Sequence, residues 1–451
     1  MKNEQLLEKF EFVEQKLELD KSCHSKVYWW DLFRYTAYND YVNRAIEVDS
    51  TVPSPVKIIG SFGRSLWDIA FLILKKPSLV LFSSHKRLDI RSSSVDPFTH
   101  FLNKDLELAK FSSVIVNRPN RNLTSPPKGA KSLASISILA QLLARLFGIF
   151  RSADRELTQK IDDLNALLKK PVLTEKTVCH GTAVFLITRA FYRALFRLSN
   201  TKVVVLTVST GFEAVTDAAN SLGIKVVEVQ HGSPGRGKLN YDYSSGIQKT
   251  YTPSHFFATG AGFECEKYLP NRIERIINFG SPFLHAMGAA TASIKEVYDF
   301  TFISQPDADL ELSQALCKFL LEEKDSGREP SVCVRLHPAY SFSSERAPEN
   351  FNLLGVTVIK SDEESIYVTL AKSRSVVGSY STALFEALYF SKPVYTISSH
   401  SNLISKKMTI SGWWTDWSDR GIRSSKVTDD YPEFYASYDS NNRIFRELLE
   451  L

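Results

Sequence analysis

Between Lys202 and Gly232 the chain reads KVVVLTVSTGFEAVTDAANSLGIKVVEVQHG, and this stretch limits its fold more than any other. Val203 to Thr207 and Lys225 to Val229 are short β-branched runs suited to buried strands. Phe212 to Leu222 has helical spacing and is stopped by Gly223. A strand, a helix and a strand in such quick succession form a βαβ unit, which requires a parallel sheet with a right-handed crossover. Ligands of such sheets bind beyond the carboxyl ends of the strands. Ser209-Thr210-Gly211 and Gln230-His231-Gly232 occupy two such ends.

The same grammar recurs on either side. Leu79 to Ser83 and Ser113 to Val116 are apolar runs of strand length, and a helix is expected from Asp96-Pro97. The polar segment between them, with His85, Lys86, Arg87 and Arg91, reads as a loop. A second series follows near Asp299, with strands expected at Phe300 to Ser304, Val332 to Leu336, Val356 to Ile359, Ser375 to Gly378 and Val394 to Thr396. The expected fold is therefore α/β, with two doubly wound, Rossmann-like domains. Residues 1–280 form the first, preceded by a helical extension rich in Trp and Tyr. Residues 281–451 form the second, with a closing helix from Asn441 that is expected to pack back on the first.

A chain of 451 residues exceeds the roughly 100 to 200 residues of a typical domain, which agrees with two cores. The net charge of +5 is mild and its basic residues are scattered, so nucleic acid is not an expected partner, whereas an anionic small ligand is admissible. Cys23, Cys179, Cys265, Cys317 and Cys333 are odd in number and show no Cys-x-x-Cys pair, as in a reducing compartment. The charged first residues contain no apolar signal segment, and a cytoplasmic location is expected. Ser132 to Phe150 is apolar enough to raise the question of a membrane. Arg145 and the serines favour a buried amphipathic helix, with an interfacial helix giving peripheral contact with the inner face of the membrane as the alternative.

Three constellations carry chemistry. The first, Gln230-His231-Gly232-Ser233-Pro234-Gly235, offers an imidazole in a glycine-rich strand-end loop. The second, Arg335-Leu336-His337-Pro338, places a His donor at a strand tip, with Arg335 adding charge if it faces the same way. The third, Gly378-Ser379-Tyr380-Ser381-Thr382, runs into a helix, where orphan N-H groups and the helix dipole favour an anion. Glu386 follows one turn later, on the Thr382 face, within reach of a ribose hydroxyl or of solvent. Each has a plain structural alternative: a loop His, a chance dipeptide and a simple N-cap.

GIKVVEVQHG, INFGSPF, FISQP, RLHP and GSYSTALFEALYFSKPVY, in that order, resemble the GT-B glycosyltransferases of bacterial capsule and lipopolysaccharide assembly. WWDLFRYTAYNDY and DPFTHFL are similar to segments of capsular biosynthesis proteins of this kind. The resemblance implies two domains facing across a cleft, a nucleotide-sugar donor held by the second, and a glycan or lipid-linked glycan acceptor on the first. In sialyl-, Kdo- and polyol-phosphate transferases of this fold a His-Pro motif and a Ser/Thr-rich motif hold a cytidine nucleotide. These map onto His337-Pro338 and Ser379 to Thr382, which implies a CMP-activated ulosonic acid donor. His231 is the expected base for the acceptor, with Gln230, Gly232, Gln305 and Arg335 as further contacts, and Glu228 is expected to face away within its strand. Some retaining relatives use an Asp nucleophile upstream of His-Pro. Here Ser304-Gln305-Pro306-Asp307 stands at that place, so Asp307 is the offset candidate. Asp307-Ala308-Asp309 also spells a metal-binding Asp-x-Asp, but it reads as the cap of a helix starting near Leu310, and neither a metal nor another cofactor is expected. The rival functions are a UDP- or GDP-hexose transferase, a polyol-phosphate transferase, a UDP-GlcNAc 2-epimerase-like isomerase, and a non-catalytic scaffold. Gly412-Trp413-Trp414-Thr415-Asp416-Trp417 reads equally as a stacking surface for a ligand or as packing.

Overall fold

The computed structural model describes residues 2–42, 55–83, 88–90, 93–117, 129–148, 153–306, 308–338, 356–398, 403–419, 434–438 and 442–450. The chain divides into two compact units. One comprises 1–259, 263–280 and 439–451, the other 260–262 and 281–438.

In unit 1, helices α1 (Lys2–Lys16), α2 (Trp29–Tyr41), α3 (Pro55–Lys75), α4 (Pro97–Leu108), α5 (Ala134–Gly148), α6 (Arg155–Leu168), α7 (Glu175–Ser199) and α8 (Glu213–Asn220) accompany a sheet of seven strands. The strands are β1 (Leu79–Phe82), β2 (Ser113–Asn117), β3 (Lys131–Ser132), β4 (Val203–Leu206), β5 (Lys225–Val229), β6 (His255–Ala258) and β7 (Arg275–Asn278). Their order is β7-β6-β5-β4-β1-β2-β3, and every pairing is parallel. The winding thus reverses between β1 and β4. All residues of β1, β4 and β6 are buried, as expected where helices cover both faces of a parallel sheet.

Local chemistry sets the helix starts. The Asp96 carboxylate accepts the N-H groups of Phe98 and Thr99, with Pro97 in the first turn. Asp154 and Thr174 likewise cap α6 and α7. The segment read as a loop before Asp96 contains a short antiparallel hairpin, Leu88–Ile90 with Ser93–Val95. His85, Lys86, Arg87 and Arg91 lie outside the described residues.

The aromatic stripe of α2 is core. Trp29 and Trp30 are buried among Phe10, Tyr38 and Leu164, and the Trp30 indole donates to Glu14 at 2.7 Å. Glu14 is also clamped by Arg34 at 2.6 and 3.1 Å, so a fully enclosed ion pair ties α1 to α2. The closing helix α14 (Arg443–Glu450) belongs to unit 1, where Phe445 meets Phe257 and Phe279 edge-on.

Unit 2 has six parallel strands: β8 (Tyr298–Ile303), β9 (Val332–Arg335), β10 (Thr357–Ile359), β11 (Ser373–Gly378), β12 (Val394–Thr396) and β13 (Thr415–Asp416). Helices α9 (Pro282–Thr291), α10 (Asp309–Asp325), α11 (Ile366–Lys372), α12 (Thr382–Tyr389) and α13 (Leu403–Ile410) lie between or beside them in sequence. The strand order is β10-β9-β8-β11-β12-β13, again reversing once, here between β8 and β11. Both units are therefore doubly wound α/β sheets. The Trp413 to Trp417 cluster is packing: Trp414 lies against Phe385, and Trp417 sits among Phe300, Phe302 and Phe319.

Candidate functional site

In unit 2 the sheet topology delivers three loops to one place. β9, β8 and β11 are neighbours, and their carboxyl ends lead into Leu336-His337-Pro338, Ser304-Gln305-Pro306 and Ser379-Tyr380-Ser381 respectively. Hydrogen bonds join the three. The Ser304 hydroxyl accepts the His337 backbone N-H at 3.5 Å, and the Gln305 side-chain carbonyl accepts the Tyr380 N-H at 3.5 Å. Ser381 caps α12, accepting the Ala383 N-H at 3.3 Å. A side chain at Gly378 would place its Cβ 3.1 Å from Leu384, so glycine lets β11 run close beneath the first turn of α12.

His337, Gln305, Tyr380 and Ser381 are half-exposed, and Pro338 and Thr382 are exposed. They surround the point where the strand order reverses, which in doubly wound sheets leaves a crevice beyond the strand ends. The helix amino end there offers N-H groups and a positive dipole end to an anion.

Several residues expected at this site are turned to other tasks. Arg335 is buried, and its guanidinium donates to the carbonyls of Lys360 at 2.7 Å, Ser361 at 3.2 Å and Glu364 at 2.6 Å. Strand alternation puts Arg335 on the face of Cys333, where it satisfies the backbone that follows β10. Ser379 is also buried. Its hydroxyl pairs with that of Ser398, and its carbonyl accepts the hydroxyls of Thr396 at 3.0 Å and Ser405 at 2.6 Å. Glu386 is half-buried and accepts from the Tyr367 hydroxyl at 3.4 Å.

The helix expected near Leu310 is present, with Ala308 in the cap position and no side-chain capping bond from it. α10 begins at Asp309 itself, whose carboxylate reaches back to the Gln305 N-H at 2.8 Å and the Ser304 hydroxyl at 3.3 Å. Asp307 lies outside the described residues.

In unit 1, β5 ends in Gln230-His231-Gly232. Gln230 is buried and turned inward, accepting the Thr259 N-H at 2.8 Å and donating to the Gly232 carbonyl at 2.9 Å, so it shapes the loop. His231 remains half-exposed, with Nδ1 2.5 Å from the Tyr241 hydroxyl and its backbone N-H 3.4 Å from the same oxygen. A Cβ at Gly232 would meet nothing within 4 Å, which leaves the backbone open to approach.

Behind His231 lies a buried ionisable cluster whose extent the motifs did not announce. Glu228, expected to face away, is 3% exposed, and its carboxyl stands beside the hydroxyls of Ser209 and Tyr241. Its Oε1 has no hydrogen-bond partner among the described residues. Burial pushes the Glu228 pKa up, against the pull of Lys249. Lys249 is enclosed, 3.4 Å from the Ser209 hydroxyl and 3.8 Å from Glu213. Burial opposes its charge, but Tyr243, Glu213, Asp31 and Glu228 outweigh that and push its pKa up. Asp31, which accepts the N-H groups of Thr250 and Tyr251, is pushed up to about 6 by burial. Tyr241 and Lys249 sit in irregular chain, where no periodicity signals them. The acid at Glu228, after two buried valines in its strand, was the visible sign.

No protein-family model matches the chain, and no curated protein sequence matches it. Solved structures do. UDP-GlcNAc 2-epimerase from Methanocaldococcus jannaschii is similar with a TM-score of 0.43 and 11% identity, over 83% of this chain and 99% of that one. The wall teichoic acid polymerase TagF is similar with a TM-score of 0.39 and 10% identity, over 88% of this chain and 97% of that one. UDP-GlcNAc 2-epimerase from Neisseria meningitidis, bound to UDP-GlcNAc, is similar with a TM-score of 0.39 and 12% identity, over 83% of this chain and 99% of that one.

Proposed function

We propose that this chain is a glycosyltransferase that takes a sugar from a nucleotide-activated donor and passes it to a hydroxyl of a glycan or lipid-linked glycan. The supporting observation is the gathering of Gln305, His337, Tyr380, Ser381 and Thr382 around the strand-order reversal of unit 2, at the amino end of α12. A nucleotide phosphate placed there meets the N-H groups of α12, the Ser381 and Thr382 hydroxyls and the His337 imidazole. These donors stabilise the leaving phosphate as its bond to the sugar breaks. The His-Pro and Ser-rich motifs favour a CMP-activated ulosonic acid as donor, and the reading requires no metal.

The acceptor hydroxyl needs a base, and His231 fits that part. With Glu228 ionised, the Tyr241 hydroxyl turns its proton toward the carboxylate and its oxygen toward His231, which then carries its own proton on Nδ1. Nε2 is left as the acceptor of the acceptor hydroxyl's proton. Glu228 and Tyr241 are positioning residues in this scheme.

The test is a pair of variants assayed with radiolabelled CMP-sugar, UDP-sugar and GDP-sugar donors. His337→Ala is expected to weaken nucleotide binding by at least about tenfold, and His231→Ala to spare binding and lower turnover about 10²- to 10⁴-fold. The reverse pattern overturns these roles. Release of an epimerised sugar without any acceptor would move the chain to the isomerase class.

A further inference from the structure

Helix α3 is apolar on two sides: Leu72 is buried, with Ile69, Phe71 and Ile73 packed against the same core, and a second apolar stripe faces outward. Two of its polar residues, Ser65 and Asp68, are 0% and 4% exposed. The Ser65 hydroxyl is 2.7 Å from that of Ser135, and Asp68 accepts the Ser132 N-H at 2.8 Å with the Lys131 ammonium 3.4 Å away. On the opposite side Ile59, Leu66, Trp67 and Leu74 are 72%, 48%, 75% and 82% exposed, with Gly63 and Ala70 between them. At about 3.6 residues per turn these positions form one stripe roughly 22 Å long. A Cβ at Gly60 or Gly63 would meet nothing within 4 Å, so among the described residues no neighbouring part of the chain covers this side there. Leu142 and Leu146 of α5, about two and three turns along the Ser135 side of that helix, are 50% and 62% exposed. An outward apolar stripe on a helix whose other side already packs into the core marks an interaction surface.

Charge indicates what covers it. The exposed charged residues of α3 and α5, and Lys76 directly after α3, are Arg64, Lys75, Lys76 and Arg145, all positive, while the single carboxylate, Asp68, is buried. A second copy laid face to face would bring these cations against their own kind, whereas a surface of anionic headgroups neutralises them. Trp67, at the middle of the stripe, is a side chain that favours the boundary between headgroups and acyl chains. Among the described residues no helix is long and apolar enough to cross a membrane, so the stripe would lie in the plane of the interface.

We propose that α3, with the adjoining face of α5, seats this chain on a bilayer surface containing anionic phospholipid. The inference does not depend on the catalytic reading. It places the protein where a lipid-linked acceptor would be found, and Trp67 and Leu74 are the insertion points.

The experiment is co-sedimentation of the full chain with phosphatidylcholine vesicles, and with vesicles in which about a third of the lipid is phosphatidylglycerol. The wild-type chain is expected to bind the anionic vesicles, less so at high salt, and the double variant W67E/L74E to bind at least about tenfold more weakly. Both side chains are exposed, so the variant should keep its circular dichroism and melting temperature, and it should bind nucleotides as the wild type does. Failure of the wild type to bind anionic vesicles overturns the proposal, as does equal binding by the variant. Sedimentation velocity showing that W67E/L74E splits a dimer, with vesicle binding unchanged, would assign the stripe to a second copy instead.

Discussion

Replacing Tyr241 by Phe removes one hydroxyl and leaves the ring in place against Phe256 and His231. That hydroxyl is 2.5 Å from His231 Nδ1 and 3.4 Å from the His231 N-H, and it faces the enclosed Glu228 carboxyl. Its loss should cost about 1 kcal/mol for the bond and about 1 to 3 kcal/mol more for the buried carboxyl left with fewer donors, measured by urea unfolding. The effect on chemistry is separable from this. Without the tyrosyl oxygen the acceptor that favours the proton on Nδ1 is lost, so the neutral imidazole should shift toward a mixture of tautomers. Nitrogen NMR on histidine-labelled protein reads this directly, with the His231 signals among the nine identified by their absence from His231→Ala. Turnover should fall about ten- to a hundredfold with KM little changed, a part of the full contribution of a general base. An unchanged tautomer together with unchanged turnover in Y241F would refute the scheme.

Two further outcomes follow from the buried charges of unit 1. Asp31 has its pKa raised from 3.8 to about 6, so the folded protein holds a proton there that the unfolded chain gives up earlier. Stability should therefore decline as pH rises from about 4 to about 6, by up to about 3 kcal/mol relative to Asp31→Asn, in calorimetry of the two proteins across that range. A stability relative to Asp31→Asn that stays level or increases as pH rises from about 4 to about 6 would contradict this. Arg34→Met strands Glu14 without its partner in a fully buried place and should destabilise by about 3 to 5 kcal/mol, whereas E14L/R34M should recover most of that loss in urea titrations.

How far the sequence foretold this can be judged from particular elements. β5 was read with its observed bounds, and β4 within a residue, because strands buried on both sides are continuous β-branched runs. β7 was not read as a strand. Its residues Arg275–Asn278 are half-buried or exposed, and an edge strand needs no apolar pattern. Strand-end positions were equally legible, since Gln305, His337 and Ser381 do fall at adjacent ends. Side-chain direction was not. Gln230, Arg335 and Ser379 sit at the expected ends and turn inward, because each satisfies backbone groups or a neighbouring hydroxyl that the motif does not contain. The outward apolar face of α3 was hidden for a related reason: an apolar helix reads as buried until its neighbours are known.

The most direct test of the account is thermal unfolding with CMP, CDP, UDP and GDP in turn, on the wild-type chain and on Ser381→Ala and His337→Ala. A ligand that binds only the folded state raises its melting temperature, by about 2.7 kcal/mol of stability at a hundredfold excess over Kd. The account predicts a clear rise with one nucleotide, CMP first, and its loss in both variants. A chain indifferent to all four nucleotides, or one whose response survives both substitutions, would contradict the assignment of the unit 2 strand ends as the donor site.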